Sequence, residues 1–261
     1  MKELLLKNKK FPNDPLPINY YPARTKANRI LILLGGSGNN RDQFDKIARA
    51  LRRKIPGYDI IAYSTRGLEV GKEYPLKQLS ADLEELVAYF STQKRNIRIT
   101  LVATSLGAYQ SCFLSVSKKF GRLLDTIILL DPGDYHLYVT NNYKHYPWSG
   151  FDTYKPNRKT ISMLLQDITS NVVIHVVNFT LRNMSSDGYA PSDERGQDNP
   201  KLFPRLNNDM VRSFYENTPK KNRGKYIEDD TIPHSFLRDG NLQANEKRVV
   251  QLIVECLANH Q

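Results

Sequence analysis

The apolar positions of this chain fall into short unbroken runs separated by longer stretches with helical spacing. Ile30–Leu34 is a continuous apolar run closed by Gly35-Gly36, as a strand buried on both faces requires. Asp42–Lys54 then carries Phe44, Ile47, Ala48 and Leu51 on one stripe, the pattern of an amphipathic helix. Tyr58–Tyr63 predicts the next strand. Ser80 is read as the N-cap of a longer helix running to about Gln93, with Leu83, Leu86, Val87 and Phe90 facing inward. Ile97–Val102 reads as a strand and the residues from Ser105 to about Phe120 as a helix. Asp125–Leu130 and Val172–Phe179 are further strands, Lys225–Glu228 a weaker one, and Asn241–Leu257 a closing helix. Residues 2–7 and 18–22 predict edge strands on either side of the proline-rich turn Phe11–Pro17. Strands alternating with helices imply an α/β fold with a mainly parallel central sheet flanked by helices. In such sheets ligands bind at the carboxyl ends of the strands.

The rhythm breaks between Asp134 and about Gln166. Tyr135, Tyr138, Tyr143, Tyr146, Trp148, Phe151 and Tyr154 crowd into a segment with no strand pattern. An insertion at this point would lie over the strand ends. The expected organisation is a core of residues 1–133 and 171–261 with an inserted cap at 134–170. The aromatics either line an apolar pocket or fasten the cap to the body.

The bulk numbers narrow the picture. With 38 Lys and Arg against 27 Asp and Glu the net charge is +11, yet the basic residues are scattered and no nucleic-acid module is recognisable. At most this charge gives a weak attraction to anionic surfaces, and no nucleic-acid partner is expected. No apolar run approaches the roughly 20 residues that span a bilayer, and residues 1–10 are too charged for a signal peptide. Cys112 and Cys256 have neither metal-ligand spacing nor the density of a disulfide scaffold, so a reduced, cytoplasmic protein is expected. The glycosylation patterns at Asn178 and Asn183 are then matches by chance. No His, Cys, Asp and Glu cluster has metal spacing, and neither a metal nor a cofactor is expected.

Candidate chemistry centres on Ser105, in Ala103-Thr104-Ser105-Leu106-Gly107 between a strand and a helix. A tight turn there lifts a serine Oγ clear of the sheet, and the Leu106 N–H at the helix start can face a developing oxyanion. A serine that merely caps the helix fits the same residues. Gly36-Ser37-Gly38 lacks the third glycine of a dinucleotide loop, and no Gly-Lys-Ser/Thr follows. Among five histidines, His175 lies inside a strand, His260 is terminal, and His136 and His145 belong to the cap. His234 alone sits where a loop can bring its imidazole to Ser105, to take and return the serine proton.

Taken in order, Gly35-Gly-Ser-Gly-Asn39, the turn at Ser105 and Ile232-Pro-His234-Ser-Phe236 resemble the α/β-hydrolase family, over most of the chain. The departures are Gly35, where the family carries histidine, and Ala103, where it carries glycine. The resemblance implies a serine hydrolase that cleaves a small-molecule carboxylic ester or thioester through an acyl-enzyme on a Ser-His-Asp triad. Ser105 would be the nucleophile and His234 the base, with the N–H groups of Ser37 and Leu106 binding the oxyanion. The acid implied by family position is Asp187; Asp193 is second, and Asp131 or Asp134, after the preceding strand, third. A peptidase or acyltransferase on the same triad, or a non-catalytic binding protein that kept the fold, are the alternatives.

Overall fold

The computed structural model describes residues 1–7, 15–25, 28–36, 40–63, 76–94, 96–105, 107–133, 160–181, 208–233, 236–237 and 241–258. Eight strands, β1 (Lys2–Leu6), β2 (Leu16–Tyr21), β3 (Arg29–Leu34), β4 (Tyr58–Tyr63), β5 (Arg98–Ser105), β6 (Leu124–Pro132), β7 (Val173–Leu181) and β8 (Arg223–Pro233), form one sheet. Their order is β1-β2-β4-β3-β5-β6-β7-β8. The first two pairings, β1 with β2 and β2 with β4, are antiparallel and the rest parallel.

Continuous apolar runs in the central strands demand cover on both faces, and the helices supply it. On one face lie α2 (Leu76–Gln93), α3 (Gly107–Ser115), α4 (Ile161–Gln166) and α5 (Asn208–Asn217). Their Leu83, Leu86, Ala108, Cys112, Leu164 and Phe214 pack with Ile127 and Leu129 of β6. The other face is covered by α1 (Asp45–Lys54) and α6 (Asn241–Leu257), whose Ile47, Leu51, Val249 and Ile253 pack with Ile128 and Leu130 of the same strand. Alternate residues of β6 thus feed two separate cores.

The stripes read from sequence are the buried ones: Phe44, Ile47, Ala48 and Leu51 in the first helical segment, and Leu83, Leu86, Val87 and Phe90 in α2. Several boundaries differ. Residues Arg41–Phe44 form a 3₁₀ turn capped by Asn40 before α1 begins. Helix α2 opens at Leu76, so Ser80 lies within the helix rather than at its start. Helix α3 stops at Ser115 rather than Phe120. There the Ser115 hydroxyl donates to Cys112 O at 2.6 Å and the Ser117 N–H turns back to Leu114 O at 3.1 Å, local bonds that compete with the helix ladder.

Strand β8 spans eleven residues, Arg223–Pro233, where only Lys225–Glu228 was expected. It is an edge strand rich in charge, which hides it from a hydrophobic pattern. Residues 160–170, assigned to the cap by the sequence reading, belong instead to the core: Ile161, Leu164, Leu165 and Ile168 are buried in it. Residues 134–159, which hold the cap aromatics, lie outside the described residues. Cys112 and Cys256 are free and sit on opposite faces of the sheet. Burial pushes the Cys256 thiol up to about 12. Asn178 is fully buried in β7, which removes it as a glycosylation acceptor. Among the described residues no helix is long and apolar enough to cross a membrane.

Candidate active site at the carboxyl ends of β5 and β6

Strand β5 runs without interruption to Ser105, and α3 begins two residues later at Gly107. Ser105 itself has φ 49°. A helix-capping serine has extended backbone, so this residue is the apex of a strand-to-helix turn and not a cap. Left-handed backbone at a residue other than glycine costs of order 1–3 kcal/mol and persists only where its surroundings enforce it. Here the enforcement comes from both sides. Gly133 N–H donates to Ser105 O at 3.0 Å. On the other side α3 lies so close to β3 that a Cβ on Gly107 would come within 2.8 Å of Gly35 O and 3.0 Å of Leu34 O. Only glycine allows the helix to start there.

The neighbouring strand end repeats the device. Asp131, in β6, has φ 44° and is fully buried. Ser105 is in register with Pro132, after a register shift between Thr104 and Ser105. A strained serine and a strained, buried aspartate therefore occupy adjacent strand ends, one strand spacing apart, roughly 5 Å. The third left-handed residue among those described, Asn96 (φ 54°), is in a turn before β5, where asparagine tolerates this backbone.

Gly35 and Gly36 follow β3, which pairs with β5 through Leu34 and Ala103. That pairing sets Gly35 and Gly36 beside the end of the serine's strand. Ser37 and Leu106, the expected oxyanion donors, lie outside the described residues, as do His234, Asp187, Asp193 and Asp134. The chain around His234 is nonetheless anchored. Pro233 ends β8 in register with Leu181, Phe236 N–H donates to Pro233 O at 3.1 Å, and the buried Phe236 ring packs edge-on against Phe179 at 5.5 Å. His175 is a core residue, as its strand position predicts: it is 1% exposed and its Nδ1 accepts the Lys225 N–H at 2.9 Å.

One polar pair escaped the sequence reading. Tyr63, the last residue of β4, donates its hydroxyl to Gln110 Oε1 at 2.9 Å, and both side chains are buried. A glutamine in the apolar run of α3 carries no periodic signal that separates it from a surface residue; its burial emerges only from packing. An open groove of about 480 Å³ runs between β1, α2 and the Lys119-Phe120 turn, and no candidate residue lines it. Among the described residues no cluster of three or more His, Cys, Asp or Glu could hold a metal.

A sequence model described as the alpha/beta hydrolase fold matches residues 29–226, from the start of β3 into β8. No match was found among curated proteins. Solved structures share the fold at low identity. An esterase from Pyrococcus furiosus is 15% identical with a TM-score of 0.62, covering 99% of this chain and 89% of its own. A serine hydrolase homologue from Coxiella burnetii is 16% identical with a TM-score of 0.58, covering 96% of each chain. A bromoperoxidase from Bacillus anthracis is 13% identical with a TM-score of 0.56, covering 97% of this chain and 99% of its own. Names this varied show that the likeness is one of fold. The sequence model covers well over half of the residues, and the chain belongs to the α/β-hydrolase fold family.

Proposed function

We propose that the protein is a serine hydrolase that cleaves a carboxylic ester or thioester of a small molecule through an acyl-enzyme. The observation that carries this reading is the left-handed Ser105 between β5 and α3. A fold that needed only a helix cap would have no reason to hold a serine at φ 49°; a strained strand-to-helix turn is the device that lifts a nucleophilic Oγ above strand ends. Ser105 attacks the acyl carbon while His234 takes its proton. The collapsing tetrahedral intermediate then expels the alcohol or thiol, which His234 protonates. Water, activated by the same imidazole, releases the acid and restores Ser105. The N–H groups of Leu106 and Ser37 hold the oxyanion; such donors contribute about 2.7–4 kcal/mol each. Esters and thioesters suit this machinery because their leaving groups depart more readily than amines.

Family position names Asp187 as the acid, but a specific observation favours Asp131. Asp131 is fully buried and held at φ 44° on the strand next to Ser105. An acid that orients an imidazolium works best where water does not screen it.

Hydrolysis of p-nitrophenyl esters of graded chain length tests the reading. Wild-type protein should turn them over and label with a fluorophosphonate. Ser105→Ala should lower turnover about a millionfold and abolish labelling. Turnover that survives in Ser105→Ala would place the chemistry elsewhere. Neither turnover nor labelling in the wild type would favour a binding protein that kept the fold.

A further inference from the structure

Cations scattered along the sequence converge in the fold. The parallel strands β3–β8 share one amino end, opposite to Ser105, and the segments that lead into them are strongly basic. Arg53 and Lys54 end α1 ahead of β4, and Arg98 opens β5. Lys118, Lys119 and Arg122 lie between α3 and β6, while Lys220 and Lys221 precede β8. All eight are exposed; the exposed acids at the same helix ends and turns, among the described residues, are Asp167 and Glu216. Helix polarity does not account for the cluster. Cations at helix carboxyl ends complement the dipole, yet of α1–α6 only α1 carries any in its last turn. Ion pairing does not account for it either. Arg49, Arg212 and Arg248, elsewhere on the surface, pair with Asp45, Glu228 and Asp229, whereas none of the eight forms an ion pair among the described residues. Like charges gathered without counter-charges repel one another and gain only when an external anion meets them.

The shape of the cluster narrows what that anion is. From Lys54 before β4 to Lys220 before β8 the sheet is six strands wide, so the cations spread over roughly 24 Å, far more than a single phosphate needs. Beside Lys119, whose ammonium lies 4.8 Å from the Phe120 ring centroid, is the open groove, lined by Leu6, Leu16, Phe120 and the 41% exposed Tyr89. Cations next to exposed aromatic and apolar surface suit a bilayer, which offers anionic headgroups over hydrocarbon. Glu84 and Glu85, on the α2 wall of the same groove, repel a phosphodiester strand laid along it. We infer that the amino end of the sheet is a docking surface for an anionic phospholipid bilayer. Docking there leaves the carboxyl end, with Ser105, facing the solution. The inference is independent of the chemistry at Ser105.

Co-sedimentation with vesicles tests it. The protein should bind phosphatidylcholine vesicles containing about one-third phosphatidylserine, and not vesicles of phosphatidylcholine alone. Binding should be strong at about 0.1 M salt and mostly lost at about 0.5 M, where the screening length is roughly halved. Lys118→Gln with Lys119→Gln, and separately Lys220→Gln with Lys221→Gln, should each lower the partition coefficient about 10- to 30-fold with Tm unchanged. Lys46→Gln with Lys247→Gln removes as much charge from exposed sites in the first halves of α1 and α6, and should stay within about twofold of wild type. Equal losses in all three double variants would mean that net charge alone acts, and would overturn the inference. Failure of the wild type to bind, or equal binding to phosphatidylcholine alone, would overturn it as well. Tighter binding to single-stranded RNA than to the vesicles, lost in the first two variants, would assign the surface to nucleic acid instead.

Discussion

Two buried aspartates, at opposite ends of the sheet, show what separates a structural carboxylate from a candidate functional one. Asp59, near the amino end of β4, is 2% exposed and has ordinary strand backbone. Its Oδ1 accepts the Ala23 N–H at 2.8 Å and its Oδ2 pairs with Lys94 Nζ. Burial and then the Asp59 charge push the neighbouring Tyr20 phenol up to about 12. Both oxygens of the Asp59 carboxylate have partners and its backbone is relaxed. Asp131, at the carboxyl end of β6, is as deeply buried but sits at φ 44°, beside a serine at φ 49°. Burial is common to both. Of the two, Asp131 alone is strained, and it lies at the end where α/β sheets bind ligands.

The sharpest way to break this comparison is to neutralise each carboxylate. Asp131→Asn keeps the shape, and asparagine tolerates left-handed backbone, so the fold should survive with Tm little changed. If Asp131 orients His234, kcat for a p-nitrophenyl ester should fall about 10⁴-fold. A fall of less than about tenfold, with the large loss appearing in Asp187→Asn, would return the acid to its family position. Asp59→Asn should do the opposite. Removing one partner of a buried pair costs about 3 kcal/mol, or roughly 6–12 °C in Tm for a chain of this size, while the folded fraction keeps its kcat.

Two glycines allow the same contrast on a smaller scale. A Cβ on Gly107 would strike the backbone of Leu34 and Gly35, and one on Gly224, at the start of β8, would come within 2.6 Å of the His175 ring. Both alanine variants should lose about 1–3 kcal/mol by overpacking, read from urea midpoints. Only Gly107→Ala pushes the helix start away from Leu34 and Gly35, so it alone should also lose kcat, about tenfold or more. Equal activity in the two variants would mean that the β3–α3 contact has no part in catalysis.

Much of this was legible in the chain because it rests on local rules. Buried runs, amphipathic stripes and the strand-to-helix turn at Ser105 are written in consecutive residues. Asp131 ranked behind Asp187 because nothing in Leu-Leu-Asp-Pro-Gly reveals the left-handed backbone or the register that sets it beside Ser105. Gln110 was invisible for a related reason: in an apolar helix its polarity suggests exposure, and only its contact with Tyr63, many residues earlier, shows otherwise. Helix α5 was missed because its residues follow a long polar stretch with no strand to frame them. Local pattern specifies elements, whereas strain and long-range polar contacts arise from how those elements meet.

Asp229 offers the finest test, because it is satisfied like Asp59 but lies toward the carboxyl end of its strand. Its Oδ1 accepts the N–H and hydroxyl of Thr231 at 2.9 and 2.6 Å, and its Oδ2 accepts Arg248 Nε at 2.7 Å. Burial alone would raise its pKa, but the hydrogen bonds from Thr231 and Arg248 outweigh it and hold the carboxyl below the ordinary 3.8. A lowered folded-state value means that the ionised form stabilises the fold. That contribution is fully present above the unfolded value of 3.8 and is lost as pH falls through the folded one. Asp229→Asn should therefore be less stable than wild type at neutral pH, by about 1 kcal/mol given that Arg248 is partly exposed. The gap in urea midpoint should close as pH drops below about 4, with kcat of the folded protein unchanged. A kcat loss in Asp229→Asn comparable to that in Asp131→Asn would show that position at the carboxyl end, rather than backbone strain, marks the functional carboxylate.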